Sequence, residues 1–93
     1  MTNPLEVTTG LVVDVAAIQL AAQPGEVSGN LERLVDLVRR HGPDVDLVVT
    51  PELATTGYDL DLFRERGQDL AEPLSGPSVQ ELRAAAIEVG VTV

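Results

Sequence analysis

Apolar residues along this chain form two kinds of pattern. Residues 11–20 and 45–51 are short apolar runs rich in β-branched side chains, a composition typical of strands buried on both faces. Four apolar residues between them recur at the i, i+3, i+4 and i+7 spacing of one helix face. They are Leu31, Leu34, Val35 and Val38. The order strand, helix, strand predicts a βαβ unit, in which a right-handed crossover joins two parallel strands.

Capping and turn-forming residues set the predicted limits of the first helix to residues 31–41. Asn30 is a candidate N-cap, because its short polar side chain can accept a hydrogen bond from the first helical turn. Gly42 is a candidate for the left-handed residue that ends many helices, and Pro43 stops further helix after it. His41, the only histidine, lies where a cation complements the helix dipole, so a capping role is favoured over a ligand role.

A second helix is predicted over residues 78–89. Ser78 and Glu81 have the spacing of a capping box, and Gly90 is placed to end the helix. A third strand begins at Val91. Because this strand has only just begun where the sequence stops, we expect an incomplete domain.

The stretch between the second strand and the second helix is predicted to be mostly loop. Residues 53–76 include several glycines and a proline, with one possible helical turn at 62–66. No linker or repeat divides the sequence. Residues 1–93 are therefore expected to form one incomplete domain of the α/β class with a parallel sheet.

Composition narrows the classes of function. Fifteen acidic residues against six basic ones give a formal net charge of −9, so the chain would repel phosphate backbones and anionic membrane surfaces. One Phe, one Tyr and no Trp offer too few rings to stack on bases. We expect no nucleic-acid partner and no membrane association. The first ten residues lack the features of a secretory signal, and no run approaches the roughly 20 apolar residues of a membrane span, which favours a cytoplasmic protein.

One carboxylate stands where ligands bind in open parallel sheets, beyond the carboxyl end of a strand. Glu52 follows the second predicted strand, and its position fits either a reacting group or the first solvated residue of a loop. The sequence has neither a G-x-G-x-x-G nor a P-loop motif, so a nucleotide site is not indicated. Asp59 and Asp61 lack the spacing of a calcium loop and are predicted to be solvated. The absence of cysteine excludes thiolate metal sites and thiol catalysis within this chain, and no other metal site is expected.

Several segments together resemble the opening of the nitrilase superfamily, the carbon–nitrogen hydrolases. They are the first strand VAAIQL, the GN-L entry to the first helix, the second strand running into PEL, and the TGY turn. The helix and strand of residues 71–93 are also similar to that family, so the resemblance extends from about residue 12 to residue 93. The TGYDLDLF segment is closer to the amidase-like branches than to the true nitrilases.

The resemblance implies an α-β-β-α sandwich that forms a homo-oligomer, and hydrolysis of a small amide, carbamoyl or nitrile substrate without a cofactor. In that family a glutamate accepts the proton of a cysteine thiol, the cysteine attacks carbon, and a lysine stabilises the developing negative charge. Glu52 matches the glutamate, and Tyr58 in the TGY turn is a candidate substrate-binding residue. The chain contains no lysine and no cysteine, so it holds one member of the triad.

Two functions are therefore compatible with the sequence. The first is the N-terminal part of a carbon–nitrogen hydrolase, whose 93 residues alone would be inactive. The alternative is a truncated, non-catalytic chain that acts only in binding or dimerisation. The residues present include too little of a pocket to identify the substrate.

Overall fold

The fold is described from a computed structural model, and it covers residues 10–93. The prediction that the first ten residues form no secretory signal concerns a segment that, apart from Gly10, lies outside the described residues. The described chain contains two short strands, three helices and a 3₁₀ turn.

The two strands are parallel, as the sequence pattern predicted. Strand β1, Val15–Ala17, pairs with strand β2, Leu47–Val49, with Ala16 opposite Val48. Both are shorter than the predicted runs 11–20 and 45–51. The pairing extends slightly beyond β1, because the backbone N–H of Ile18 donates to the carbonyl of Val49 at 2.9 Å.

Helix α1, Val27–His41, connects the strands and supplies one wall of the core. Its apolar positions pack with the sheet and with helix α3, Pro77–Val89. The buried cluster consists of Leu31, Val35, Val38, Val48 and Ala85. The predicted helix face therefore forms the core, and Leu34, the fourth residue of that face, is also fully buried.

Asn30 is not the N-cap of α1. The helix begins three residues before it, at Val27, and Glu26 is the N-cap residue. The backbone N–H of Asn30 already donates to the Glu26 carbonyl at 2.9 Å, so Asn30 lies inside the first turn. Its side chain is free to bond elsewhere.

Gly42 ends α1 in a right-handed conformation, with φ −60° and ψ −37°, and not in the predicted left-handed one. Pro43 does not end helical structure at once, because a 3₁₀ turn, Gly42–Asp44, directly follows α1 and includes this proline. The requirement for glycine is steric. A Cβ at this position would lie 2.8 Å from Val89 Cγ2 and 3.0 Å from Val91 Cγ1.

Gly42→Ala is expected to destabilise the protein by about 1–3 kcal/mol, since the valine side chains crowding it are branched and partly buried. Gly29→Ala is the matched control, because Gly29 lies in α1 with no atom within 4 Å of its would-be Cβ. That change should instead stabilise by about 0.5–1 kcal/mol through helix propensity. Chemical denaturation of both variants checks the pair, and equal shifts in one direction would contradict the steric reading.

The connection from β2 to α3 contains a full helix where the sequence predicted one turn at most. Helix α2, Leu60–Leu70, has Asp59 as its N-cap, and the Asp59 carboxylate accepts from the Leu62 N–H at 3.0 Å. The pattern was missed because α2 buries one residue, Leu70, and so carries little apolar periodicity.

The predicted capping box at α3 is wrong. Pro77 occupies the first turn and Gly76 is the N-cap, so the helix begins before Ser78. Glu72 provides the cap from outside the helix: its carboxylate accepts from the Ser78 N–H at 2.9 Å and from the Ser78 hydroxyl. At the other end Gly90 is left-handed, with φ +72°, as predicted.

A third strand position follows α3, where a parallel bridge joins Thr92 to Leu47. The order across the sheet is then β1, β2 and the Thr92 bridge, with α1 before β2 and α3 before the third position. Two successive crossovers in the same direction, each of the usual right-handed sense, place their helices on the same side of the sheet. The core cluster on that side includes residues of both α1 and α3.

The opposite face of the sheet is uncovered by the described residues. Val15 is 52% exposed and Val49 is 47% exposed. The prediction of strands buried on both faces is therefore wrong for these residues, because both crossover helices lie on one side.

The isolated chain of 93 residues is expected to be marginally stable or prone to aggregate, because its sheet has an uncovered apolar face and an open edge. Thermal unfolding followed by circular dichroism, with light scattering, checks this. A cooperative transition of a soluble monomer would contradict it.

Candidate functional site

The candidate site is the loop of residues 52–58, which follows β2 at its carboxyl end. Glu52 opens a turn of residues 52–56 and its side chain is exposed. Within residues 10–93, the Glu52 carboxylate takes part in none of the ion pairs, which involve Asp36, Asp61 and Glu88. The carboxylate is thus accessible to a ligand or to a further part of a protein.

Backbone bonds hold this loop against the turn that precedes α1. The Gly25 N–H donates to the Thr56 carbonyl at 2.8 Å, and within the loop the Gly57 N–H donates to the Leu53 carbonyl at 2.9 Å. The two turns pack so closely that a Cβ on Gly57 would lie 2.9 Å from Pro24 Cα. Glycine is required there for space and for its φ of +76°.

Glu52 precedes a residue in an uncommon backbone conformation. Leu53 has φ +54°, the left-handed region that non-glycine residues rarely occupy, and is the one non-glycine residue with positive φ in residues 10–93. Such conformations persist where surrounding contacts determine them. Here the chain must turn sharply as it leaves β2, and that turn directs the loop toward α1.

Tyr58 lies at the end of the same loop and is 72% exposed. Its ring meets Phe63 of α2 edge to face, with centroids 6.4 Å apart and an interplanar angle of 74°. Glu52 and Tyr58 are therefore exposed residues at the two ends of the same loop, and the aromatic pair connects its far end to α2.

The remaining predicted polar positions lie elsewhere or have local roles. Asp59 caps α2, and exposed Asp61 lies 3.5 Å from Arg64. His41 ends α1 and so lies at the opposite end of the sheet from Glu52. Within the described part of the chain, no group of three or more His, Cys, Asp or Glu side chains is arranged to hold a metal ion.

Sequence reasoning missed Asn30 as part of this region. Its side chain, interpreted as a helix cap, donates to the Thr55 carbonyl of the loop at 2.8 Å. No periodicity reveals this contact, because the two residues are 25 positions apart. An asparagine in the first turn of an apolar helix face is the signal that could have suggested it.

The parallel βαβ unit makes this an α/β protein, and its candidate carboxylate lies on an anchored loop at a strand end, the edge at which proteins of this class generally bind ligands. The model of one protein family, described as carbon-nitrogen hydrolase, matches residues 14–93. The chain belongs to the carbon-nitrogen hydrolase family.

A curated protein of Pseudomonas protegens, described as "Hydrolase in pqqF 5'region", is 39% identical to the chain over 79 residues. The match covers 85% of this chain and 27% of the relative, so the chain spans about a quarter of the length of the curated relative that it matches. No solved structure gives a significant match. No helix within residues 10–93 has both the length and the apolar character needed to cross a membrane.

Proposed function

We propose that this chain is the N-terminal part of a hydrolase that cleaves a non-peptide carbon–nitrogen bond, and that Glu52 is its general base. The observation that carries the proposal is the position of Glu52 in a chain of this family: exposed, directly after β2, on a loop that α1 and α2 anchor. A carboxylate carried on an anchored loop and open to its surroundings can act as a proton acceptor for a thiol brought beside it.

The reaction that we propose uses a Glu-Lys-Cys triad. The Glu52 carboxylate takes the proton of a cysteine thiol as the sulfur attacks the carbon of the substrate. The same proton then passes to the leaving nitrogen, and water releases the acyl group from sulfur. A lysine ammonium stabilises the negative charge that develops on the substrate oxygen or nitrogen.

The cysteine and the lysine must come from outside these 93 residues, which contain neither. Reading the coding sequence past residue 93 tests the proposal at this point. A lysine and then a cysteine, each following an apolar strand, would support it. A stop codon directly after residue 93 would favour the alternative, a non-catalytic chain that only binds or dimerises.

The substrate class that we propose is a small amide or carbamoyl compound, with nitriles as the less favoured class. The TGYDLDLF segment supports the amidase-like branches. Assay of the full-length protein for ammonia release from a panel of small amides, carbamoyl compounds and nitriles tests this choice. Turnover confined to the nitriles would overturn it.

For the complete protein we also propose a cytoplasmic location and a homo-oligomeric state, with an α-β-β-α sandwich in each subunit. The uncovered face of the β1–β2 sheet supports the sandwich, because a second sheet would bury Val15 and Val49. We also propose that Tyr58 binds substrate, which is supported by its exposure on the loop that carries Glu52.

A further inference from the structure

Asn30 has the most completely bonded polar side chain in the described part of the chain, and it is 0% exposed. Its amide nitrogen donates to the carbonyls of Gln23 and Thr55, both at 2.8 Å. Its amide oxygen accepts from the Gln23 N–H at 2.8 Å and from Arg33 Nη2 at 2.7 Å. Two donors and two lone pairs are all that a carboxamide possesses, so every position is used.

The chemistry of the partners fixes the identity of this side chain. The reversed amide orientation would place the oxygen against two carbonyl oxygens, so only one orientation satisfies the network. Aspartate has the same shape but no N–H to offer the Gln23 and Thr55 carbonyls, and it would add a buried charge facing them. The site therefore requires an amide.

This carboxamide joins three segments, one of which is the loop that carries Glu52. It belongs to α1, binds the turn that precedes α1 at Gln23, and binds the loop after β2 at Thr55. In the sequence, Glu52 lies three residues after Val49 and three residues before Thr55. Both flanking carbonyls accept hydrogen bonds, that of Val49 from the Ile18 N–H and that of Thr55 from the Asn30 side chain.

We propose that Asn30 is a positioning residue for Glu52, acting through the backbone of residues 53–57. The proposal rests on the proposed function. Without the carboxamide, the half-buried Thr55 carbonyl loses its donor, whereas the Gln23 carbonyl keeps the bond from the Glu26 N–H at 3.1 Å. Because an unpaired carbonyl away from water is unfavourable, the loop at Thr55 would move toward water. Because Leu53 already turns the chain in a left-handed conformation, movement of the loop reorients the adjacent Glu52 side chain.

The test uses the full-length protein and four variants: Asn30→Ala, Asn30→Asp, Glu52→Gln and the double variant of Asn30→Ala with Glu52→Gln. Misplacement of a reacting group by about 1 Å can lower the rate about 10²-fold. We expect a loss of kcat of about that size in both Asn30 variants, with a much smaller change in KM. In the Glu52→Gln background, Asn30→Ala should lower kcat by no more than about twofold further, because its effect passes through Glu52.

Hydrogen exchange gives a readout that does not depend on activity. In Asn30→Ala the amides of Gly25 and Gly57, which bond within the anchored turns, should lose protection. The Val48 amide, bonded to the Thr92 carbonyl at 2.8 Å in the sheet, should keep it. Val38→Ala is the matched control, since it removes buried atoms from the same helix away from the loop, and it should leave kcat unchanged.

Gly57→Ala provides a second route to the same displacement, because the new Cβ would push the loop from Pro24 without touching Asn30. It should reproduce the loss of kcat. If Asn30→Ala does not fold, Gly57→Ala tests the positioning role in its place, by its kcat alone and in the Glu52→Gln background. The proposal falls if neither variant folds, since the network would then serve the fold as a whole.

The outcomes also separate this inference from the proposed function. If Glu52→Gln lowers turnover but Asn30→Ala does not, or if the two losses multiply in the double variant, the positioning role is wrong and the general base stands. If Glu52→Gln retains turnover, the proposed function fails, and exchange at Gly25 and Gly57 still reports whether Asn30 holds the loop.

Discussion

Replacing Glu52 with glutamine is expected to lower the turnover of the full-length protein by about 10²–10⁴-fold, the contribution that a general base typically makes. Glutamine has nearly the same volume and can still form hydrogen bonds, but it cannot accept the thiol proton. Because Glu52 is exposed and lies outside the buried cluster, folding and assembly should be little changed. Steady-state kinetics of the purified variant, with its unfolding curve, provide the measurement.

Two neighbouring acids are matched controls for this substitution. Asp59→Asn should be nearly silent, because asparagine caps a helix about as well as aspartate does. Asp61→Asn should be nearly silent as well, since its pairing with Arg64 is highly exposed and of little energetic weight. Turnover of Glu52→Gln within a few-fold of the unmodified protein would show that Glu52 is an ordinary loop residue.

The βαβ unit could be predicted from sequence because its signals are local and repeated. The apolar face of α1 recurs every three to four residues, and the same residues form the core beside Val48. Boundaries were less predictable. The start of α1 depends on the turn at Pro24 and Gly25 and not on Asn30, whose polar side chain suggested a cap.

Helix α2 shows why a solvated helix escapes a search for apolar periodicity. It buries Leu70 and is held at its start by the Asp59 cap, a feature shared with ordinary turns. Glycine was similarly ambiguous. Gly90 takes the left-handed conformation expected at a helix end, whereas Gly42 is right-handed and is limited by its contact with Val89.

In the candidate site, too, the features that depend on neighbouring residues were predictable and those that depend on distant residues were not. A carboxylate after a strand can be read directly from the order of residues, and so Glu52 was found. The bond from Asn30 to the loop of Glu52 joins residues 25 positions apart, and no motif links them. Its geometry depends on the βαβ crossover, which brings the start of α1 beside the end of β2.

The crossover also decides which face of the sheet this chain can cover. Both α1 and α3 pack on the side of Val48, which is 1% exposed, and the other side carries Val49, which is 47% exposed. Neighbouring residues of one strand point to opposite faces. Val48 and Val49 are therefore a matched pair of the same residue type, one on each face, and they can report whether a second layer covers the sheet in the full-length protein.

Val48→Ala is expected to destabilise the full-length protein by about 2 kcal/mol, because it removes two buried methyl groups and leaves a cavity. If a second sheet covers the opposite face, as we propose, Val49→Ala should have a similar cost of about 2 kcal/mol. A side chain that stays half exposed would instead cost within about 0.5 kcal/mol. Chemical denaturation of the two variants distinguishes these results. A large loss for Val48→Ala with none for Val49→Ala would contradict the sandwich, because both residues lie in β2 and differ only in the face that they occupy.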